Sequence, residues 1–355
     1  MTTSRCIGIL GSGQLGRMLA IAAAQLGIDT HIYAPDAAAS PAASVASRWT
    51  EAAYDDPAAL NDFAASVDVV TSEFENVPAE VMQQISAHCP ASPGEAALRT
   101  AQHRVAEKTL AARLGINTPR FWPVTSATGL DGALTELGGD GILKTCRLGY
   151  DGKGQRRVAS GDDASAIFDS FGSDDAILEE KIDFAFEISC LVARAPDGSI
   201  AHFPVSQNTH ENGILARTVA PATIPSSLAE KAQQATAALA DEVGLFGVLA
   251  VEFFVTSDDS LLFNEMAPRP HNSFHWTIEG CASSQFTQLA RVLAGLRFGD
   301  TSAYGRWQMD NLLGQHMQQV PDLLASNGVH LHLYGKPDAH TNRKMGHATR
   351  QLPES

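Results

Sequence analysis

Residues 249–276 read LAVEFFVTSDDSLLFNEMAPRPHNSFHW. Two apolar segments rich in Val, Phe and Leu flank the polar quartet Ser257, Asp258, Asp259 and Ser260, the pattern of a β-hairpin. A turn centred on that quartet puts Glu252 directly opposite Glu265 on one face, with Cβ atoms roughly 5 Å apart. Like charges so placed destabilise a sheet unless a cation sits between them. Mg2+ takes carboxylate oxygens together with the oxygens of bound phosphates, so a magnesium nucleotide is the economical partner. A register slip would instead leave two unrelated surface glutamates. Arg269, His271, Asn272, Ser273 and His275 crowd the exit of the second strand, which is more polar chemistry than a plain loop needs.

The hairpin belongs to a chain of 355 residues, long enough for two or three domains, and its 44% hydrophobic content allows substantial cores. Twenty-five basic residues against 40 acidic ones give a net charge of −15, which argues against a nucleic-acid binder or a protein held by its charge at an anionic membrane. Any anion site must then be a local basic exception. The five cysteines, Cys6, Cys89, Cys146, Cys190 and Cys281, are scattered without a CxxC pair, so buried free thiols are expected. MTTSRCIGIL lacks the apolar core of a signal peptide, and no run approaches the roughly 18 apolar residues of a membrane span. A cytoplasmic location is the expectation.

The first segment alternates strand and helix. Strands are expected at 6–10, 30–34 and 68–71, with helices at 17–26, from Asp56-Pro57, and from Pro78. This is the pattern of a parallel α/β domain. Gly11, Gly13 and Gly16 match GxGxxG and Asp36 lies about 20 residues further on, the dinucleotide spacing. Taken alone it favours a nicotinamide dehydrogenase, although the catalytic constellation such an enzyme needs is not visible. In TSEFENVP, Glu73 and Glu75 share one face of a short extended segment at a strand's C-terminal end, where open α/β sheets keep ligands; by themselves they read as a solvated strand end. Ser92-Pro93-Gly94-Glu95 reads as a capping box that opens a largely helical stretch to Leu114. Arg104 and Lys108 share one face of it, by default a solvated one.

Beyond Thr118-Pro119 the chain reads as an α+β unit. Between strands at 141–144 and 156–158, Gly149, Gly152, Gly154 and Lys153 form a flexible basic loop whose amides can fold over phosphates, and Lys144 adds a second cation. It is not a P-loop, because GxxxxGK[ST] is absent. The strand at 177–182, ILEEKI, followed by Glu187 on the next, suits an adenine and ribose pocket or a plain interdomain strand. His210 falls on an expected turn. Near the end, HLHLYGKPDAHTNRKMGH carries Lys336, Arg343, Lys344 and, shortly after, Arg350 against Asp338, a local reversal of charge fit for a phosphate.

The succession GSGQLGRM, SEFENVP, GYDGKGQ, NEMAPRPHNS-HW and RKMGH resembles the N5-carboxyaminoimidazole ribonucleotide synthases, an ATP-grasp family of purine biosynthesis, in order along nearly the whole chain. The resemblance implies an N-terminal parallel α/β (Rossmann-like) domain over 1–98, an ATP-grasp α+β core over 99–298 and a small C-terminal β-rich domain over 299–355. It implies a homodimer that takes ATP, bicarbonate and 5-aminoimidazole ribonucleotide to ADP, phosphate and the N5-carboxylated product. Nucleotide contacts are implied at Arg104, Lys144, Gly149, Tyr150, Asp151, Gly152, Lys153, Gly154, Gln155, Glu179, Glu180, Lys181, Ile182, Glu187, His210, Asn264 and Glu265. Glu252 and Glu265 are implied ligands for Mg2+, with Mn2+ as an alternative ion. The aminoimidazole nucleotide is implied at Gln14, Glu73, Tyr150, Asp151, Lys153, Arg269, His271, Asn272, Ser273, Lys336 and Arg343, with Arg269, His271 and Lys153 as the catalytic set. Two positions depart from the family pattern: Leu148 and Phe274 stand where glycine is expected, and Phe274 requires a negative φ. Another ATP-grasp ligase joining a different carboxylate and amine is the alternative, with the dehydrogenase behind it.

Overall fold

A computed structural model describes residues 5–149 and 152–353, so Tyr150 and Asp151 lie outside the described residues. The N-terminal region is a five-stranded parallel sheet in the spatial order Arg48–Glu51, Asp29–Ala34, Cys6–Leu10, Val69–Ser72, Ala91–Ser92. Cys6–Leu10 runs down its middle with all five residues buried, as a strand covered on both faces must be. Asp56 caps the helix Pro57–Ala65 by accepting from the amides of Ala58 and Ala59. The turn after Leu10 and the turn after Ser72 open side by side, at the carboxyl ends where the sheet leaves a crevice.

The core carries two antiparallel sheets. Four strands, Phe121–Val124, Ala176–Glu180, Asp140–Thr145 and Gln155–Ala159, pack on the helices Ala127–Leu137 and Ala164–Phe171. The larger sheet runs Leu261–Ala267, Gly247–Val255, Phe186–Arg194, Ser206–Glu211, Ile214–Ala220, Arg306–Leu313, Lys344–Leu352, Val329–Leu333, with Ile200–His202 on Phe186–Arg194. The C-terminal strands thus continue the core sheet, joined where Ile214–Ala220 pairs with Arg306–Leu313.

The hairpin forms, by a different route from the one its sequence suggests. Glu252 does pair with Glu265, but nearer the turn Phe253 faces Phe263 and Val255 faces Leu261. The turn spans three residues, closed by Thr256 and Ser260, with Asp259 at φ 61°. Asn264 is the extra residue of a bulge, so a loop one residue shorter than expected and one bulged residue cancel.

Other expectations need correction. Gly94, not Ser92, takes the N-cap position, without a side-chain cap, because Ser92 ends a strand. The helical stretch is two helices, Glu95–Ala101 and Arg104–Arg113, broken at the extended His103, where the Arg104 amide donates to the Cys146 carbonyl. His210 lies on a strand, and the turn is Asn212-Gly213. Lys181 and Ile182 follow the strand Ala176–Glu180 and are not part of it. Phe274 sits, fully buried, in the 3-10 turn Asn272–Phe274 and keeps out of the left-handed region, whereas Leu148 holds the glycine-like φ of 59°.

Candidate active site

The Gly-rich turn is already occupied. Glu73 accepts hydrogen bonds from the amides of Gly13 and Gly16 at the start of the helix Gln14–Gln25. A Cβ at Gly11 would lie 2.4 Å from Glu73 Cγ, and one at Gly13 2.9 Å from its Oε1, so these glycines make room for a carboxylate of the chain itself. Asp36 accepts from Ser12 Oγ at 2.7 Å. The amides and the acidic residue a dinucleotide would need are therefore satisfied internally, which removes the basis for the dehydrogenase reading. Glu73 and Glu75 do not share a face, because the strand ends at Ser72 and the chain bends. Glu75 turns to Arg269, whose Nη2 lies 3.0 Å from Oε1 with Nε on the other oxygen. Burial opposes charge on Glu75, but this guanidinium holds its carboxyl down at about 2.

Burial, reinforced by the charge of Glu265 opposite, pushes the Glu252 carboxyl up to about 7. Two oxygen-donor carboxylates in register, one of them costly to ionise, suit a hard divalent cation. Arg104 Nη1 lies 3.2 Å from Glu265 Oε2. His271 Nε2 is 3.6 Å from Glu252 Oε1, while its Nδ1 pairs with the hydroxyl of buried Ser273 at 2.8 Å. Burial, aided by Arg269, depresses His271 far enough to leave the imidazole neutral near pH 7.

A cavity of about 880 Å3 gathers Gln14, Gly149, Gly152, Lys153, Glu265, Arg269, His271, Asn272, Lys336 and Arg343, drawn from all parts of the chain. Lys336 Nζ donates to the Lys344 carbonyl and Arg343 Nη1 to the Asp338 carbonyl, so both cations are oriented by backbone. Asn272 exchanges amide hydrogen bonds with Asn311, which ties the site to the strand Arg306–Leu313. Asn311, Glu75, Tyr334 and Asn342 also build or line the site; only Glu75 drew notice in the sequence, since isolated polar residues far apart carry no pattern.

Among the described residues, the others expected at the nucleotide do not line that cavity. Arg104 lines a small adjoining hollow with Gly149 and Glu265. Lys144 Nζ binds Glu179 Oε2 at 2.9 Å, and fully buried Lys108 reaches the same oxygen at 3.4 Å. The face of Arg104 and Lys108 is therefore interior, contrary to the solvated face expected. Burial opposes charge on Glu179, but Lys144 and Lys108 hold it at about 2. Glu180 pairs with Arg120, Lys181 approaches Asp140 at 3.9 Å, and Glu187 contacts His210. Gly154, at φ 68°, packs a Cβ-less backbone on Thr145, and Gln155 begins the next strand. Asn264 is the bulge residue.

Three family models tile the chain: a ribonucleotide synthetase preATP-grasp domain over 4–102, an ATP-grasp domain over 109–286, and a phosphoribosylaminoimidazole carboxylase C-terminal domain over 308–353. An N5-carboxyaminoimidazole ribonucleotide synthase of Brucella melitensis is 46% identical over 351 residues, covering 98% of this chain and 97% of the relative. The chain belongs to the N5-carboxyaminoimidazole ribonucleotide synthase family. Solved structures of that family agree with the fold. An ADP complex of an N5-carboxyaminoimidazole ribonucleotide synthetase superposes with a TM-score of 0.94 at 38% identity, over 99% of this chain and 93% of the other. The Aspergillus clavatus N5-carboxyaminoimidazole synthase, in complex with ADP and 5-aminoimidazole ribonucleotide, gives 0.92 at 29% identity over 99% and 95%. As in other synthases of this family, the ATP-grasp core is flanked by an α/β region and a β-rich C-terminal region. All five cysteines are buried and unbridged, and among the described residues no helix is long and apolar enough to cross a membrane.

Proposed function

We propose that the chain carboxylates 5-aminoimidazole ribonucleotide on its exocyclic amine, using ATP and bicarbonate. The observation that carries this reading is the meeting of Lys153, Arg269, Lys336 and Arg343 with His271 and Glu265 in one cavity, a concentration of basic side chains in a chain of net charge −15. Glu252 and Glu265 would hold Mg2+, or Mn2+ in its place, which when bound supplies positive charge against the polyphosphate. Lys144, Lys153 and Arg104 orient ATP for attack by a bicarbonate oxygen on the γ-phosphorus. ADP leaves and carboxyphosphate forms. Arg269, held in place by Glu75, and the neutral His271 bind the carboxyphosphate, which splits into CO2 and inorganic phosphate, and the amine nitrogen adds to the CO2 carbon with loss of one N–H proton. Lys336 and Arg343 hold the ribonucleotide phosphate and Gln14 the opposite side. Enclosure keeps water from the intermediate. No group of the protein becomes covalently attached, so positioning and charge carry the rate.

The same reading makes the working protein a cytoplasmic homodimer, which sedimentation at twice the chain mass would check. The decisive assay is ADP release: it should require both bicarbonate and aminoimidazole ribonucleotide, and release supported equally by another carboxylate and amine would favour a different ligase.

A further inference from the structure

We propose that Glu107 and Lys108 are positioning residues that hold the bulge at Asn264 and so keep Glu265 on the same face as Glu252. The proposal rests on the reading of those two glutamates as cation ligands. Starting from the turn, Phe254 faces Leu262 and Phe253 faces Phe263; continued without interruption, that register would set Glu252 against Asn264 and turn Glu265 to the opposite face. The extra residue is what brings the two carboxylates together.

A bulge interrupts the ladder and needs support from outside it. Leu261–Ala267 is an edge strand, and the helix Arg104–Arg113 lies along its open side. There the two backbone groups that bracket Glu265 find partners on consecutive helix residues. The Asn264 carbonyl accepts from Lys108 Nζ at 3.0 Å, and the Met266 amide donates to Glu107 Oε2 at 3.1 Å. Arg104, one turn earlier, takes the Glu265 side chain. One helix therefore fixes the carboxylate and the peptides on both sides of it.

Lys108 has no exposed surface, so it cannot touch a bound nucleotide. A buried ammonium is costly unless paired, and a Leu or Met would fill the space without that cost. Here the charge is met by Glu179, by the Asn264 carbonyl, and by the face of Phe263 at 5.7 Å. Burial pushes the Glu107 carboxyl up to about 8 and the Lys108 ammonium down, so keeping charge at either position is opposed by desolvation. What the pair provides in return is a fixed bulge.

Lys108→Met and Glu107→Leu each remove one clamp. Mn2+ affinity is measured by electron paramagnetic resonance on the nucleotide-free protein, beside half-saturating Mg2+ and KM for aminoimidazole ribonucleotide in turnover. Each variant should weaken Mn2+ binding by roughly tenfold or more, the usual effect of losing support behind a metal ligand, raise the Mg2+ requirement in parallel and leave KM for the ribonucleotide within about twofold. If Lys108→Met does not fold, Glu107→Leu decides alone. A proportional loss of metal and ribonucleotide affinity would mean general loosening and overturn the proposal. Glu265→Gln separates the two levels: if it weakens Mn2+ while the helix variants do not, positioning is wrong; if it leaves Mn2+ unchanged, the metal reading itself fails and the proposal with it.

Discussion

Glu252 joins electrostatics to a pH dependence. Its carboxyl is raised to about 7, first by burial and then by Glu265, so between the ordinary carboxylate value and pH 7 the native state binds more protons than the unfolded chain. Stability of the metal-free protein should therefore fall as pH rises through that window, with the loss complete above about 7. A cation must displace the same proton. Mn2+ affinity is expected to climb up to about pH 7, level off above it, and release a proton measurable by calorimetry in buffers of different ionisation enthalpy. Glu252→Gln should flatten the profile, and a wild-type affinity independent of pH would show that Glu252 is no ligand. Leu148 makes a separate prediction. It holds a left-handed backbone while 71% exposed, so the strain is not offset by packing. Leu148→Gly relieves about 1–2 kcal/mol of steric cost against about 0.5–1 kcal/mol of added chain entropy. A net gain of up to about 1.5 kcal/mol in denaturant unfolding is expected, and a loss would mean that the side chain packs in solution.

The turn GSGQLG shows how one motif supports two chemistries. Its amides attract an anion in either case, and what decides is whether that anion is a ligand's phosphate or the chain's own Glu73. NADH should not bind, and a fluorescence titration showing saturable binding would contradict the internal occupancy. Gln14, next to the occupied amides, lines the cavity. Gln14→Ala should raise KM for aminoimidazole ribonucleotide and leave KM for ATP unchanged. The hairpin is the complementary case. Its two apolar strands and polar turn were legible in residues 249–276, and so was the facing pair of glutamates, although by a register that the structure does not use. The three-residue loop and the bulge were not, because they are set by Thr256, Ser260 and the helix residues Glu107 and Lys108, the last two about 160 positions away.

The cavity is a property of the whole molecule. Gln14 comes from the first turn, Arg269 and His271 from the core, and Lys336 and Arg343 from the loop between the C-terminal strands Val329–Leu333 and Lys344–Leu352, which continue the core sheet. Arg343 offers a planar fork and Lys336 a point charge, which together can grip a phosphate from two directions. Arg343→Ala should cost the ribonucleotide about 1.5–3 kcal/mol of binding, read as a raised KM, with KM for ATP nearly unchanged. Arg343→Lys should restore part of it. Equal effects on both KM values would mean that the cluster only anchors the C-terminal strands.

By itself the sequence determined the alternation of strand and helix, the parallel α/β region and the hairpin, because these follow from local periodicity and turn chemistry, while the facing of Glu252 and Glu265 needed the bulge as well. It also held the ordered motifs that mark the family. The tertiary structure alone decided where Glu73 and Glu75 turn, that Lys108 is interior, and that Asn311 braces Asn272. Each depends on a partner far along the chain, and a polar side chain has no preferred partner until packing excludes water and leaves one within reach.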